Sequence, residues 1–441
     1  MSALERHTGA GWRTAVTWSL AHGVSRGLLR AAARRGDLIA RLTVDPGLRE
    51  DPFGAYETLR GRDRLVRGRL ISATVDHALG DRILRSEDFS VADGHGELPP
   101  LLRRVLAAVA DPYAATPVDP PSMLAVDPPQ HTRYRRLVSK AFTARAVTGM
   151  EADVRRIADE LVDDLARGPR QTDIVDDFAA LLPVAVITEL LGLPADQRPR
   201  MLRLGNRAAI TLDPGLSWRQ YRDAEAAVRE LHHWSDEHIA SLRRDPGEDL
   251  LSRLAVMDGD DRLTGLELRA TGLLLIGAGF ETTVNLLGNA VAQLSAHPDQ
   301  RRLMVEEPDR WANAVEEVLR YDSPVQLTAR TPYADTELDG VGFRAGEAVL
   351  TFLGGANRDP SVFSHPQRFD VTRDDADRHL SFSAGVHYCL GASLARLEAR
   401  VGLQTLYERF PDLAVSGTPA RRGTRVLRGY EHLPVDLGRA S

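Results

Sequence analysis

Cysteine is almost absent: the 441 residues contain one, Cys389. A single cysteine excludes an intrachain disulfide, a CxxC redox pair and any multi-cysteine zinc or iron–sulfur site. It also fits a reducing compartment. Lysine is equally scarce, Lys140 standing alone among 56 basic residues, so nearly all positive charge is arginine. A basic excess is missing too. The 62 acidic residues outnumber the basic ones and give a formal net charge of -6, which argues against a nucleic-acid binder. No apolar run approaches the ~20 residues needed to cross a bilayer; the longest, Phe178–Ile187 and Leu273–Phe280, are broken by proline or glycine. The expectation is a soluble, cytoplasmic chain without a transmembrane segment.

What is present is mostly helical periodicity, as in Ala152–Leu165, Ala224–Arg243 and Leu390–Phe410. Strand-like alternation is confined mainly to Val325–Phe352, where Asp339-Gly340 signals a hairpin between Thr336–Leu338 and Val341–Phe343. No low-complexity linker or repeat follows Asp45, and the short Pro/Gly-rich pieces read as loops. The fold class is therefore mostly α with small β-sheets (α+β), in one large catalytic domain over residues 46–441. Residues 1–45 form a separate Arg-rich, helical extension, of the wrong composition for a secretory signal because no apolar h-region follows its basic residues. Between Arg6 and Gly36 there is no acidic side chain, and Arg26, Arg30 and Arg34 share a helix face. That helix either packs on the protein's own body or lies on an anionic surface.

Cys389 lies in Ser381-Phe382-Ser383-Ala384-Gly385-Val386-His387-Tyr388-Cys389-Leu390-Gly391-Ala392, running into a helix with an apolar stripe of Leu390, Leu394, Leu397 and Val401. A helix amino terminus favours thiolate, and Gly385 and Gly391 permit a tight turn and close approach to a flat partner. Such a thiolate is either a nucleophile or a metal ligand. Phe382, Gly385, His387, Cys389 and Gly391 together resemble the haem-binding loop of the cytochrome P450 superfamily, of the soluble bacterial type. The resemblance implies haem b (iron protoporphyrin IX) with Cys389 as iron ligand, Phe382 shielding the sulfur and His387 on a propionate. A thiolate ligand pushes electron density onto the iron and favours O–O cleavage.

A second segment concerns oxygen. Thr264-x-x-Glu267 is a capping box that opens a long helix ending near Pro298. Inside it lies Gly277-Ala278-Gly279-Phe280-Glu281-Thr282-Thr283, whose two mid-helix glycines cost ~1 kcal/mol each relative to alanine. The Thr282 hydroxyl is placed to bond the Ala278 carbonyl. The run resembles the family's oxygen-binding helix. By that resemblance Ala278 and Gly279 face the cofactor, and Glu281 and Thr282 form an acid–alcohol pair that relays protons toward O2.

Further matches concern scaffolding. Glu317 and Arg320 share a helix face, and with Arg368 of Phe363-x-x-Pro366-x-Arg368-Phe369 they resemble a buried structural triad. His131 and Arg135, at i and i+4 after Asp127 as a candidate N-cap, resemble a pair that binds haem propionates, as does Arg330. The pocket would be roofed by 89–121 and 209–218, with Leu274, Val325, Gln326, Leu327 and Leu427 as substrate contacts.

The implied activity is haem-thiolate monooxygenation of an apolar macrolide, steroid, terpenoid or fatty acyl substrate. Nothing resembling a flavin or iron–sulfur module follows, so electrons would come from a ferredoxin and its reductase, with Arg133, Arg136 and Arg396 as docking candidates. The alternative is a haem-thiolate binding or sensing protein without turnover, which the Glu281–Thr282 pair disfavours. A cysteine hydrolase using Cys389 and His387 is poorer still, because two residues of one loop align badly as nucleophile and base.

Overall fold

The helix that opens at the Thr264 capping box organises the molecule. In the computed structural model, which describes residues 12–91, 104, 111–259 and 262–439, it runs Gly265–Ala296 with both halves of the box formed. Its residues are apolar nearly all round, the signature of a helix buried on every side. Leu181–Leu190, Trp218–Arg244, Trp311–Tyr321 and Ala392–Arg409 pack against it. Among the described residues it is the one helix long and apolar enough to cross a membrane, but most of it is buried inside the protein. Two glycines set close crossings. A Cβ at Gly279 would lie 2.8 Å from the Ile187 side chain, and one at Gly205 would lie 2.2 Å from Phe280.

The sheets are small. The largest runs, in spatial order, Val66–Arg67, Ser72–Thr74, Val349–Thr351, Thr328–Pro332 and Phe89–Ser90. Its single parallel pairing joins Ser72–Thr74 to Val349–Thr351, with Ala73 opposite Leu350. The hairpin expected at Asp339-Gly340 forms, pairing Thr336–Leu338 with Val341–Phe343. Both turn residues have positive φ, 50° and 80°, as a two-residue type I′ turn requires.

The Arg-rich amino-terminal segment packs on the body. The Trp18 indole donates to the Leu216 carbonyl at 3.0 Å and Arg26 Nη1 donates to the Gly215 carbonyl at 2.8 Å. Thr14 Oγ1 donates to Glu225 Oε1 at 3.0 Å, and Trp18 meets Trp218 edge-on at 5.5 Å. Leu38, Ile39 and Leu42 join Tyr56, Leu59 and Ala73 in one buried cluster. Residues 38–44 thus belong to the body, and only the part before Asp37 lies across the surface formed by 209–225. Asp37 ends that surface part by capping the next helix, accepting from the Ala40 N–H.

One cap differs from expectation. The helix Gln130–Val138 has no side-chain cap; Asp127 contributes only its carbonyl, which accepts the His131 N–H. Its carboxylate turns instead to the Val91 N–H, at 3.0 Å, and the Ser90 hydroxyl. Two prolines between Asp127 and the helix hold the side chain out of capping reach.

Candidate functional site

Two stretches are exposed where packing should bury them. On the central helix Ala278 is exposed and Gly277, Gly279 and Thr282 are partly so, although Leu274–Ile276, Phe280, Glu281 and Thr283 around them are buried. Cys389 is exposed as well, yet protein surrounds it closely enough that burial raises its thiol pKa. The helix after Cys389 packs on the central helix. The two exposed stretches therefore open onto an interior slot.

The cysteine loop is a chain of tight turns. Ser383 and Gly385 take positive φ, and the Cys389 N–H donates to the Phe382 carbonyl at 2.9 Å. A Cβ at Gly385 would come within 2.5 Å of the Leu84 carbonyl, so glycine is required there. One at Gly391 would meet no protein atom within 4 Å. The helix begins only at Ala392, and the expectation that its terminus would govern the thiol needs correcting. Burial dominates and pushes the thiol up, while the Gly391 N–H, Arg135 and Arg396 pull the other way. Beside the loop, the Arg396 guanidinium sits 4.5 Å over the Phe382 ring. It grips Glu316 through two contacts of 2.6 and 2.9 Å. Burial raises the Glu316 carboxyl, but His379 and Arg396 outweigh it and hold it at about 2.

Basic groups converge nearby. The His131 and His387 rings lie 4.2 Å apart, and burial, His131 and Arg330 push the His387 pKa down to about 3. His387 Nε2 is buried without a hydrogen bond, and 3.8 Å separates it from Asp127 Oδ1. Arg330 is buried and, among the described residues, bonds only Thr328 Oγ1 and the Ala329 carbonyl, at 3.1 and 2.8 Å. Burial lowers its pKa to about 10. Arg135 is half-buried beside Cys389. Four basic side chains with one carboxylate, Asp127, among them form a site short of negative charge. A planar group bearing two carboxylates, with a soft metal ion over a thiol, fits this donor set.

The structural triad has a different third member. Glu317 and Arg320 are fully buried, joined through Nε–Oε2 at 2.6 Å and Nη2–Oε1 at 2.8 Å. The second cation on Glu317 is Arg373, its Nε 3.3 Å from Oε2. Arg368 is 67% exposed, 3.8 Å from Asp370, and only its carbonyl accepts from Arg320. The cause is the turn after Phe369. Glu317 accepts the Asp370 N–H at 2.8 Å and Asp370 accepts from Thr372, which swings Arg373 inward.

The acid–alcohol pair diverges. Thr282 Oγ1 donates to the Ala278 carbonyl at 3.0 Å on the exposed stripe. Glu281, one residue and ~100° round the helix, is buried with its Oε1 2.6 Å from Arg422 Nη1. Burial raises the Glu281 pKa and Arg422 opposes the rise. Arg422, from the carboxy-terminal loop, carries no sequence signal beyond its place in the arginine-rich Ala420–Arg428. Glu398 was also missed: it is buried beneath the central helix, and burial pushes its carboxyl well up.

On the substrate side, Leu274 and Leu427 are buried and Val325 and Leu327 partly so; Val325 and Leu427 form a β-bridge. Gln326 turns into the wall, donating to the Ser323 carbonyl and accepting from Tyr56 Oη. Of the roof, residues 92–103 and 105–110 lie outside the described residues. Of the docking arginines, Arg396 is engaged by Glu316 and Arg133 by Glu267 and the Arg262 carbonyl.

A helical body around one long buried helix, with a lone thiol facing a basic ring across an interior slot, is the architecture of a haem-thiolate protein. The cytochrome P450 family model matches residues 197–419. The chain is 46% identical over 427 residues, 96% of its length and 97% of the relative's, to the putative cytochrome P450 140 of Mycobacterium tuberculosis. It is 42% identical over 316 residues to the 6-deoxyerythronolide B hydroxylase of Saccharopolyspora erythraea, covering 70% of this chain and 76% of that one. Mycobacterium smegmatis CYP164A2 in its ligand-free state superposes with a TM-score of 0.81 at 35% identity, covering 90% and 99% of the two chains. The chain belongs to the cytochrome P450 family. It is a P450 monooxygenase that takes electrons from redox partners and uses O2.

Proposed function

We propose that this chain holds haem b through Cys389 and inserts one atom of O2 into an apolar substrate, with electrons from a ferredoxin and its reductase. The observation that carries the reading is the pairing of an exposed thiol inside the protein envelope with a basic ring short of carboxylates. When bound, the haem supplies the O2-activating and electron-accepting chemistry. Cys389 would hold its iron through the thiolate, and His131, Arg135, Arg330 and His387 would take the propionates as charge-assisted hydrogen bonds. Phe382 and Leu390 keep water from the sulfur. Thr282 presents a hydroxyl on the slot side, and Ala278 leaves space beside it. Glu281 is tied to Arg422 and can serve as a proton carrier toward the slot only after leaving it.

The similarity to a hydroxylase of 6-deoxyerythronolide B supports hydroxylation of a bulky, mostly apolar molecule. Replacing Cys389 by serine should abolish the red-shifted Soret band of the reduced CO complex; its retention would refute the ligand assignment. Substrate-dependent NADH consumption with formation of an oxygenated product, using surrogate ferredoxin and reductase, tests turnover. A ligand-induced spectral shift with no product would leave a binding protein.

A further inference from the structure

The amino-terminal segment is seated on the body by one face only. Thr14, Trp18 and Arg26 tie it to Glu225 and to the Leu216 and Gly215 carbonyls, and the Leu216 N–H donates to His22 Nδ1 at 3.4 Å. In the helix Val24–Arg34 only Ala32 is buried. The outward face is open. Val24 is 57% and Leu28 50% exposed, and Ala21, Gly27, Arg30, Arg34 and Arg35 are exposed as well. At ~100° per residue, Val24, Leu28 and Arg35 fall within ~40° of one another, with Arg34 and Arg30 following on one flank. That face is an apolar strip edged by cations. The Arg30, Arg34 and Arg35 side chains make no hydrogen bond or ion pair among the described residues.

The sequence gives this face its sign. From Arg6 to Gly36 there are six arginines and no acidic residue, on a chain whose net charge is -6. Positive charge is thus concentrated on one segment of a protein that is acidic elsewhere. An anionic surface attracts this segment and repels the rest, which fixes the orientation of approach.

The chemistry of the face selects the occupant. A second copy of the chain would set one group of unpaired cations against another. A nucleic acid would reward the arginines but not Val24 and Leu28. A membrane carrying anionic lipid rewards both: the apolar strip enters the headgroup boundary, and the arginines reach phosphates along their flexible stems. The seat of the segment gives the contact a direction. It lies on 209–225, where Asp213 accepts the backbone N–H groups of Arg425 and Val426 at 2.9–3.0 Å. The next residue, Leu427, forms the β-bridge to Val325 on the substrate side.

From these observations we infer that Val24–Arg34 is a peripheral docking surface for membranes that contain anionic phospholipid. The chain rests on the bilayer by this helix and inserts no span. Docked in this way, it presents the segments of the substrate side to the phase in which apolar molecules dissolve. The inference goes beyond the monooxygenase reading and does not depend on it.

Vesicle flotation of the full haem-loaded chain tests it. Vesicles of phosphatidylcholine with one-third phosphatidylglycerol should bind at least about tenfold more tightly than phosphatidylcholine alone, because each arginine near an anionic surface contributes severalfold. High salt should weaken the binding by screening. Arg30→Gln combined with Arg34→Gln should remove about tenfold of the anionic-vesicle affinity. Val24→Ser combined with Leu28→Ser should weaken it at low and high salt alike. Both pairs lie on the exposed face, so thermal unfolding and the reduced-CO band should match the wild type, which separates lost docking from lost folding. Equal binding to the two vesicles, binding to neither, or variants that float like the wild type would overturn the inference. Heparin binding as tight as the vesicles, with no effect of the serine pair, would mean a general polyanion site and would also overturn it. A dimer broken by Leu28→Ser would give the face to a second copy instead. Loss of the reduced-CO band in the wild type, with vesicle binding intact, would strike the haem-thiolate reading alone.

Discussion

The cysteine side of this molecule and its lid side, where the amino-terminal segment and residues 45–50 meet 209–225 and 420–428, are built on opposite plans. On the cysteine side, Phe382, Gly385, His387 and Cys389 lie in one loop, and its turns are fixed by bonds within that loop. On the lid side, the contacts join residues hundreds of positions apart. Arg49 meets Gly423 across 374 residues, Thr14 meets Glu225 across 211, and Arg425 meets Asp213 across 212. A prosthetic group of fixed shape can be gripped by a short rigid loop. A ligand of variable shape is enclosed by whatever segments the fold brings over it. The first plan concentrates its energetics in a few buried charges; the second spreads them over many weaker contacts, so mutations should separate the two sides by size of effect.

The largest effect belongs beneath the cysteine side. Glu317→Gln removes the one carboxylate shared by Arg320 and Arg373, leaving the fully buried Arg320 without an anion and Arg373 with Asp375 alone. Breaking a buried pair in this way costs about 3–5 kcal/mol, a large share of the 5–15 kcal/mol typical of a folded protein. Urea unfolding should show that loss, or the variant should fail to accumulate as folded protein. An effect below ~1 kcal/mol would mean that this network is not what holds the cysteine side.

Arg422→Gln probes the seam between the two sides, and its effect should depend on pH. The folded protein raises the Glu281 pKa above its unfolded value of ~4.3. Stability from this group is therefore complete below the unfolded value and is lost as pH rises through the folded one. Arg422 is the cause opposing the rise, so its loss should hurt most where Glu281 would be ionised. The variant should be destabilised by about 3 kcal/mol at pH 8 and clearly less at pH 5.5, by thermal unfolding at both. Glu281→Gln added to it should erase the pH dependence. A pH-independent loss would mean that Arg422 acts through its bond to the Tyr430 carbonyl.

A smaller and more local effect is expected at the lid. Trp18→Ala deletes the indole bond to Leu216 and the edge contact with Trp218. Because the amino-terminal segment before Asp37 lies on the surface, freeing it should cost global stability only about 1 kcal/mol. Proteolysis within 12–36 should accelerate severalfold, while the reduced-CO band stays unchanged. Loss of that band would show that the two sides are coupled more tightly than the separation of their contacts suggests.

How much was legible follows the same division. The long helix, its capping box, the Thr282–Ala278 bond and the Asp339-Gly340 hairpin are local, so spacing alone located them. The cysteine loop was readable because its turns demand glycine at Gly385. The partners of Glu281 and Asp127 were not, since Arg422 and Ser90 reach them through tertiary packing. Helical spacing put Glu281 beside Thr282 in sequence, but successive residues point ~100° apart, and burial sent the carboxylate to the far side. The arginines of Ala420–Arg428 read as plain charge because their partners are Asp322, Asp213 and the Arg49 carbonyl, all remote in sequence.

The sharpest test of that division is the smallest effect. Family spacing assigns Arg368 to the buried triad, whereas its side chain is two-thirds exposed and Arg373 occupies the place on Glu317. Only the Arg368 carbonyl takes part, accepting from Arg320 Nη2 at 3.0 Å, and a substitution keeps that carbonyl. Its guanidinium makes one long surface contact to Asp370, of a kind that contributes little or nothing. Arg368→Ala should therefore change unfolding stability by less than ~0.5 kcal/mol. Arg373→Met, which strips a buried charge from Glu317, should cost several times more. Equal losses would return Arg368 to the triad and show that the turn Asp370–Thr372 does not select which arginine points inward. Unequal losses would place the selection in the turn, five residues downstream of where the family pattern puts it.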